Sequence, residues 1–437
     1  MQYNQPYGVS DPNASYVNGN PAIGVEGSIP PASSIEYDQR EIVEVINWAW
    51  QNGLPGCNAP TNADLTQLRK AIQGFLQARY IDTHITKTVH GAGADFANLQ
   101  SALEWLGQYI ITPNGQVTFL VTNSKTAPGQ VNSWVYTQTI EINHANSNRV
   151  IISGYPLMAA SPDPANISVT GYHLPGDGTN QINYLRGIYA TELSFSGGVT
   201  GFMVFRDGCT LRNLLITGSQ TVGPNPYDGN GIFARGEIRL DGISIWGFGG
   251  NGMAAVEGSI VCSSSLSVCS LFNGYGGVYL ENAYAFFTPT DHTSFCSNSQ
   301  AGVLLWGGAL MGVGHLDVRG NNNIGCTISN GSELVSLAGG VIHLNNGMGI
   351  NLRGSATCSC PYHTITNNAG WGAISDGGTL YIDHSSFAGN ASGDLISIGY
   401  GFMNAVASTG TNTGGTPFLG NPANTFSVAN AGGYIQF

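Results

Sequence analysis

The sequence predicts a right-handed parallel β-helix, a mainly-β solenoid, preceded by a small α-helical adaptor. Three observations carry this. A glycine followed by alternating apolar residues recurs at Gly231, Gly252, Gly277, Gly302, Gly325, Gly349, Gly372 and Gly393, at intervals of 21 to 25 residues. Asn273, Asn298, Asn321, Asn345 and Asn368 each stand four residues before such a glycine, and Asn390 stands three before. The chain holds 62 glycines while only 9% of its 437 residues are charged, a balance typical of repeat-built β proteins.

From the N-terminus, residues 1–36 are rich in Pro, Gly, Asn and Ser, show no period of 2 or 3.6, and read as an extended arm. Residues 37–82 read as a helical adaptor. In "IEYDQREIVEVINWAWQNG" the residues Ile42, Val45, Ile46, Ala49 and Trp50 share one helical face, with Trp48 opposite, and Gly53 and Pro55 stop the helix. A second helix is expected from a capping-box-like Thr61/Asp64, with Leu65, Leu68, Ile72 and Leu76 as its stripe. Two helices of this size need a further surface to cover their apolar faces.

Residues 83–150 form an α/β lead-in. "DFANLQSALEWLGQY" predicts a helix with Leu99, Leu103 and Leu106 on one side. The period then changes to two in "TPNGQVTFLV", where Val117, Phe119 and Val121 alternate after an Asn114–Gly115 turn, and "TIEIN" and "RVIISGY" continue the strands. Residues 151–400 are the β-helix and 401–437 a C-terminal cap or inter-subunit segment.

Within each repeat, positions +1 and +3 after the glycine face inward, as with Val303/Leu305 and Ile350/Leu352, and +2 and +4 face outward. A second glycine (Gly236, Gly258, Gly307, Gly331, Gly354 or Gly377) closes the strand with a bend. The asparagine column implies tight left-handed bends and side-chain amides stacked from coil to coil. Right-handedness follows from the general rule for parallel crossovers.

Fourteen Lys and Arg against 26 Asp and Glu leave a net charge of −12 and no basic face for nucleic acid. The opening "MQYNQPYGVSDPNAS" has neither the basic nor the apolar region of a secretory signal, and no window reaches the length of a membrane span, so folding in a cytoplasm without membrane insertion is expected. Eight scattered cysteines without CxxC spacing predict neither a disulfide scaffold nor a zinc site, and no cofactor is expected. Cys262, Cys326 and Cys358 take interior offsets; Cys269 and Cys296, in "SVCS" and "SFCS", are expected on adjacent coils as reduced thiols.

An uncharged, Asn/Gly-rich β-helix behind a helical adaptor resembles the tail fibres and tailspikes of bacteriophages. "NGNPAIGVEGSIPPASSIEYDQREIVEVINWAWQNGL" with "TNADLTQLRKAI" is similar to their N-terminal virion-attachment segment, and "FANLQSALEWLGQY", "GQVTFLV" and "NRVIISG" to the lead-in of their β-helices. The resemblance implies a homotrimer located on the virion, in tail, baseplate or collar, joined to other virion proteins through residues 1 to about 80 and facing a host surface polysaccharide. It transfers no catalytic residue.

Glycan recognition calls for aromatic planes flanked by hydrogen-bonding groups. Tyr279 and Trp306 are the candidate glycan-binding residues, outward on successive coils. Hydrolysis of a glycosidic bond calls for two carboxylates, and Glu281 and Asp291 are the candidates for a glycoside hydrolase or lyase. Attachment without cleavage is the first reading; a polysaccharide depolymerase or a structural collar or baseplate decoration are the alternatives. The negative charge favours a neutral glycan, unless Arg235 or Arg353 makes a local exception. His292/His315 and His363/His384 are expected to stack pairwise on adjacent coils, as polar corners, a pH switch or a shared metal position.

Overall fold

The computed structural model of the protein describes residues 6–11, 14–15, 17–28, 32–51, 54, 56–61, 63–77, 79–125, 127, 130–157, 179–206, 208–219, 229–262, 268–337, 339–410 and 434–436. The chain divides into two compact units: Met1–Ile81 with Gln108–Ile110, and Asp82–Gly107 with Ile111–Phe437.

The first unit holds the helices Ala32–Gln51 and Gln67–Gln77. Their shared core is small, with Ile46, Ala49 and Ala71 buried against Leu54, Cys57 and Leu68. Only part of the expected apolar face is therefore covered: Ile42, Val45 and Trp50 remain exposed, and Trp48 stacks on Phe75 at 5.1 Å. The second helix begins later than expected, because Asp64 makes an Asx turn in front of it. The Asp64 carboxylate accepts the Thr66 N–H at 2.9 Å and pairs with Lys70, while Oε1 of Gln67 accepts the Thr61 N–H at 2.8 Å. Leu65 thus precedes the helix and lies exposed.

The second unit is a parallel β-solenoid of about 8 turns. One 10-stranded sheet runs from Ile140–Ile142 to Gly393–Ile398 and contains every glycine repeat. Two further stacks of strands complete each coil. Long strands such as Cys209–Thr217, Glu237–Trp246 and Leu310–Arg319 bend through both of these, pairing with different neighbours at each end. The +1 and +3 residues fill the interior as expected: Ile232, Ala234, Val278, Leu280, Val303, Cys326, Ile328, Ile350 and Leu352 are all buried.

The repeat glycines from Gly231 to Gly372 owe their place to space, not to backbone conformation. A Cβ on Gly349 would lie 2.4 Å from the carbonyl oxygen of Gly372 and 3.0 Å from the Asn368 amide nitrogen, and the same crowding recurs at Gly277 and Gly325. The next coil's glycine carbonyl crowds them most, and the asparagine column closes the other side. Asn273, Asn298, Asn321, Asn345, Asn368 and Asn390 are buried, and each Nδ2 donates to the Oδ1 of the next at 2.9–3.0 Å. The left-handed residue at each bend is not the asparagine but the one before it: Phe272, Ser297, Gly320, Leu344, Asn367 and Gly389 have φ between 54° and 66°. The asparagine serves by hydrogen bonding, with its side-chain amide and its backbone N–H both bonded to the next rung.

The last repeat is shifted by one residue. Trp371 pairs with Gly393 and Ala373 with Leu395, so Asp394 occupies the slot that Gly372 fills one coil earlier. Asn390 is then four residues before that slot, like the others. Its Nδ2 donates to Asp394 Oδ1 at 2.9 Å, and a carboxylate ends the described amide ladder.

The same one-residue shift corrects the histidine pairs. His292 and His315 are indeed in register. His363 instead aligns with Ser385, whose Oγ accepts its N–H, so it points inward while His384 points outward. A slip of one residue along a strand reverses the side-chain direction. His363 Nδ1 donates to the Pro361 carbonyl at 2.8 Å, and burial pulls its pKa down to about 4.

Sequence periodicity missed a helix, Thr179–Ile188. Ile182, Leu185, Ile188 and Tyr189 cover the outer face of a sheet formed by Leu215, Cys269, Leu271 and Cys296. Cys269 and Cys296 are not joined in a disulfide and lie buried under this helix, not in the solenoid interior, and Cys296 pairs with Leu271 while Cys269 pairs with Ser294. Beside the helix lies a buried ion network. Glu192 is fully buried and pairs with Lys125 at 2.7 Å, and Arg186 on the helix donates to both its carboxylate oxygens at 2.9 and 3.0 Å. Thr217 adds a bond at 3.3 Å.

The lead-in helix is Leu99–Leu106, N-capped by Asn98, whose Oδ1 accepts the Ser101 N–H at 2.9 Å. Val117, Phe119 and Val121 alternate along their strand as expected and are buried, with Phe119 edge-on to Trp105 of the helix. The Tyr136 hydroxyl accepts the Leu99 N–H at 3.2 Å and hydrogen-bonds His90 Nε2 at 2.5 Å, which ties the helix to the first coils. Burial pulls the His90 pKa down to about 4, which favours the neutral imidazole in this pair. Of the expected C-terminal cap, residues 411–433 lie outside the described residues; Phe402–Asn404 and Tyr434–Gln436 extend a sheet in parallel register.

Candidate functional site

Alternation along the glycine sheet sends Tyr279 and Glu281 of strand Gly276–Glu281 outward, and Trp306 of strand Ala301–Trp306 likewise. The register places Glu281 directly beside Trp306. Tyr279 donates its hydroxyl proton to Glu281 Oε2 at 3.0 Å, which fixes the carboxylate next to the indole. Trp306 is 47% exposed, whereas Tyr279 and Glu281 are half-buried. An aromatic plane is thus set beside a positioned hydrogen-bond acceptor on rigid strands, which suits a ligand with an apolar face and hydroxyl edges.

Three of the four candidate residues therefore meet on two coils. Asp291 belongs to strand Tyr284–Cys296, in the stretch between Phe287 and His292 where the register against the next coil shifts. Its side chain lies outside the described residues. Of the two arginines, Arg235 lies 5.8 Å over the Phe233 ring, and Arg353 stands opposite Asp376 on the next coil.

Sequence reasoning passed over Tyr284 and Phe286, which follow Glu281 around the corner and are 55% and 48% exposed. Phe286 lies across Gly312 of the next coil, where a Cβ would come within 3.0 Å of its ring. The alternation Tyr284, Phe286 was a visible period-two signal. It also passed over a polar groove of about 260 Å³ beside the helix Leu99–Leu106, lined by Gln100, Glu104, Glu141, Asn143 and His144 among others. That groove forms between segments some forty residues apart, so no local pattern reveals it.

Among the described residues, no three His, Cys, Asp or Glu side chains are grouped to hold a metal ion, and no helix is long and apolar enough to cross a membrane. Comparison with known families, curated proteins and solved structures finds no match to this chain.

Proposed function

We propose that this protein is a fibre or tailspike of a bacteriophage particle that binds a surface glycan of the host through the glycine sheet, with Trp306 as the stacking plane and Tyr279 and Glu281 as its polar rim. The observation that carries the reading is the in-register Glu281–Trp306 pair, locked by the Tyr279 hydrogen bond, on an exposed solenoid face. The parallel solenoid is compatible with the tailspike type, and the separate helical unit with its exposed Trp50, Ile72 and Leu76 is compatible with an attachment role in a homotrimer.

The test is binding of the purified protein to host cells or extracted neutral polysaccharide, wild type against Trp306→Ala. Loss of an aromatic anchor costs about 1–3 kcal/mol of binding, with folding unchanged because the indole points away from the core. Equal binding by both proteins would remove Trp306 from the site. One observation favours a second reading, cleavage of the glycan: Glu104 and Glu141 line one groove. Reducing ends released by the wild type and not by Glu104→Gln or Glu141→Gln would establish it.

A further inference from the structure

A second exposed aromatic group sits at a different corner, several coils further on. Tyr362 stacks on His384 of the next coil, with ring centroids 5.0 Å apart and planes inclined by 28°. Tyr362 is 60% exposed and the His384 side chain 49%. The corner imposes a left-handed backbone, with φ of 60° at Tyr362 and 55° at His384. On the neighbouring coils the same corner carries Gly339 and Ala407, at 82° and 56°.

A left-handed position disfavours residues with a bulky side chain. Phe272 tolerates one because its ring is buried. Tyr362 and His384 gain little from burial, and the corners on either side carry Gly339 and Ala407. Unlike Tyr400, whose ring is also exposed at a left-handed position, these two rings stack into one continuous exposed aromatic surface, and a left-handed backbone that presents such a surface points to a use for it. The flanking residues are small for a reason of their own: a Cβ on Gly339 would lie 2.7 Å from the Tyr362 carbonyl oxygen, so that corner is held to glycine.

The surroundings define the ligand. Asp383 lies 3.4 Å from His384 Nδ1, and Tyr381, itself 39% exposed, packs edge-on against Phe402. Thr364 and Ser386 place two hydroxyls on the adjoining strands, 3.3 Å apart. Asp383 adds a carboxylate to these groups, which opposes an anionic ligand. Aromatic rings with hydroxyl and carboxylate neighbours match a neutral saccharide, which stacks its C–H face and exchanges hydrogen bonds at its rim. We infer that the corner formed by Tyr362, His384 and Asp383, with Tyr381 beside it, is a second saccharide-binding site, separate from Trp306. The ligand class rests on the reading above; the location does not.

The test measures retardation of the full-length protein in native gels containing dextran, mannan, galactan or a mixed-linkage β-glucan. The variants are Tyr362→Gly, Tyr362→Asn and Trp306→Ala, and melting temperature and light-scattering mass are recorded for each. Asn tolerates the left-handed backbone, so it controls for chain flexibility. The expected result is a roughly tenfold or greater loss of affinity in both Tyr362 variants, with mass unchanged and melting temperature equal to or above wild type. Unaltered affinity in the Tyr362 variants, or no retardation of the wild type by any of the four glycans, overturns the proposal. A marked fall in melting temperature in both variants makes the ring structural, and a changed mass makes the corner a subunit contact; either overturns it as well. Weakening by Trp306→Ala alone would leave the first site standing and remove the second, whereas weakening by the Tyr362 variants alone would do the reverse.

Discussion

Removing one rung of the asparagine ladder tests the central account of this solenoid. Asn321 Oδ1 accepts two hydrogens from the preceding rung, from the Asn298 backbone N–H at 2.9 Å and from Asn298 Nδ2 at 3.0 Å. Its own Nδ2 donates to Asn345 Oδ1 at 2.9 Å and to the Phe295 carbonyl at 3.1 Å. In Asn321→Ala both Asn298 donors lose that acceptor inside a buried column, and Asn298 Nδ2 keeps only a longer bond to the Ser270 carbonyl at 3.4 Å. A buried donor left without its partner costs about 1–3 kcal/mol, so one donor fully unpartnered and one left with only the longer bond cost about 2–5 kcal/mol together. The loss is local, because each coil of a solenoid contacts mainly its neighbours. Hydrogen exchange resolved by mass spectrometry over peptides containing Asn298 is the appropriate assay, since it reads local opening free energy. At 1.4 kcal/mol per factor of ten, exchange there should quicken roughly 30- to 3,000-fold, while peptides near Val117 stay as they were. Asn346→Ala is the control, because Asn346 is exposed and its Nδ2 makes a single 3.3 Å bond to Asn322. Exchange in Asn321→Ala that stays within a few-fold of the control would refute the ladder as a source of stability.

Two further outcomes are expected. Burial raises the Asp394 pKa above the usual carboxylate range, so the folded state prefers the protonated acid. The stability this confers is complete below the unfolded pKa of about 3.9 and is lost as pH rises through the higher folded value. Asp394→Asn keeps an acceptor for Asn390 and should be more stable than wild type at pH 7, with the advantage shrinking toward acid pH; denaturant titrations from pH 3 to 8 check the sign. Glu192→Ala leaves Lys125 buried without its carboxylate and should destabilise the helix Thr179–Ile188 and its sheet by about 3–5 kcal/mol, read as a lowered denaturation midpoint. The double change Lys125→Met with Glu192→Leu should cost much less.

Local pattern was sufficient for the architecture. Repeats of two dozen residues with period-two alternation imply stacked strands, and the inward set from Ile232 to Leu352 follows from alternation alone. The outward placement of Tyr279, Glu281 and Trp306 was legible for the same reason. What the sequence could not decide was pairing between coils, since register depends on which bends align in space. The glycine at 393 is a sequence match but not the structural repeat; Asp394 takes that slot, and the one-residue difference turned His384 outward and brought Tyr362 onto it. Contacts made at long range were equally hidden. Lys125 meets Glu192 across 67 residues of chain, and the helix Thr179–Ile188 covers Cys269 and Cys296 from outside the solenoid. Periodicity reports which side of its own strand a residue faces; only the tertiary structure determines which distant segment covers that side.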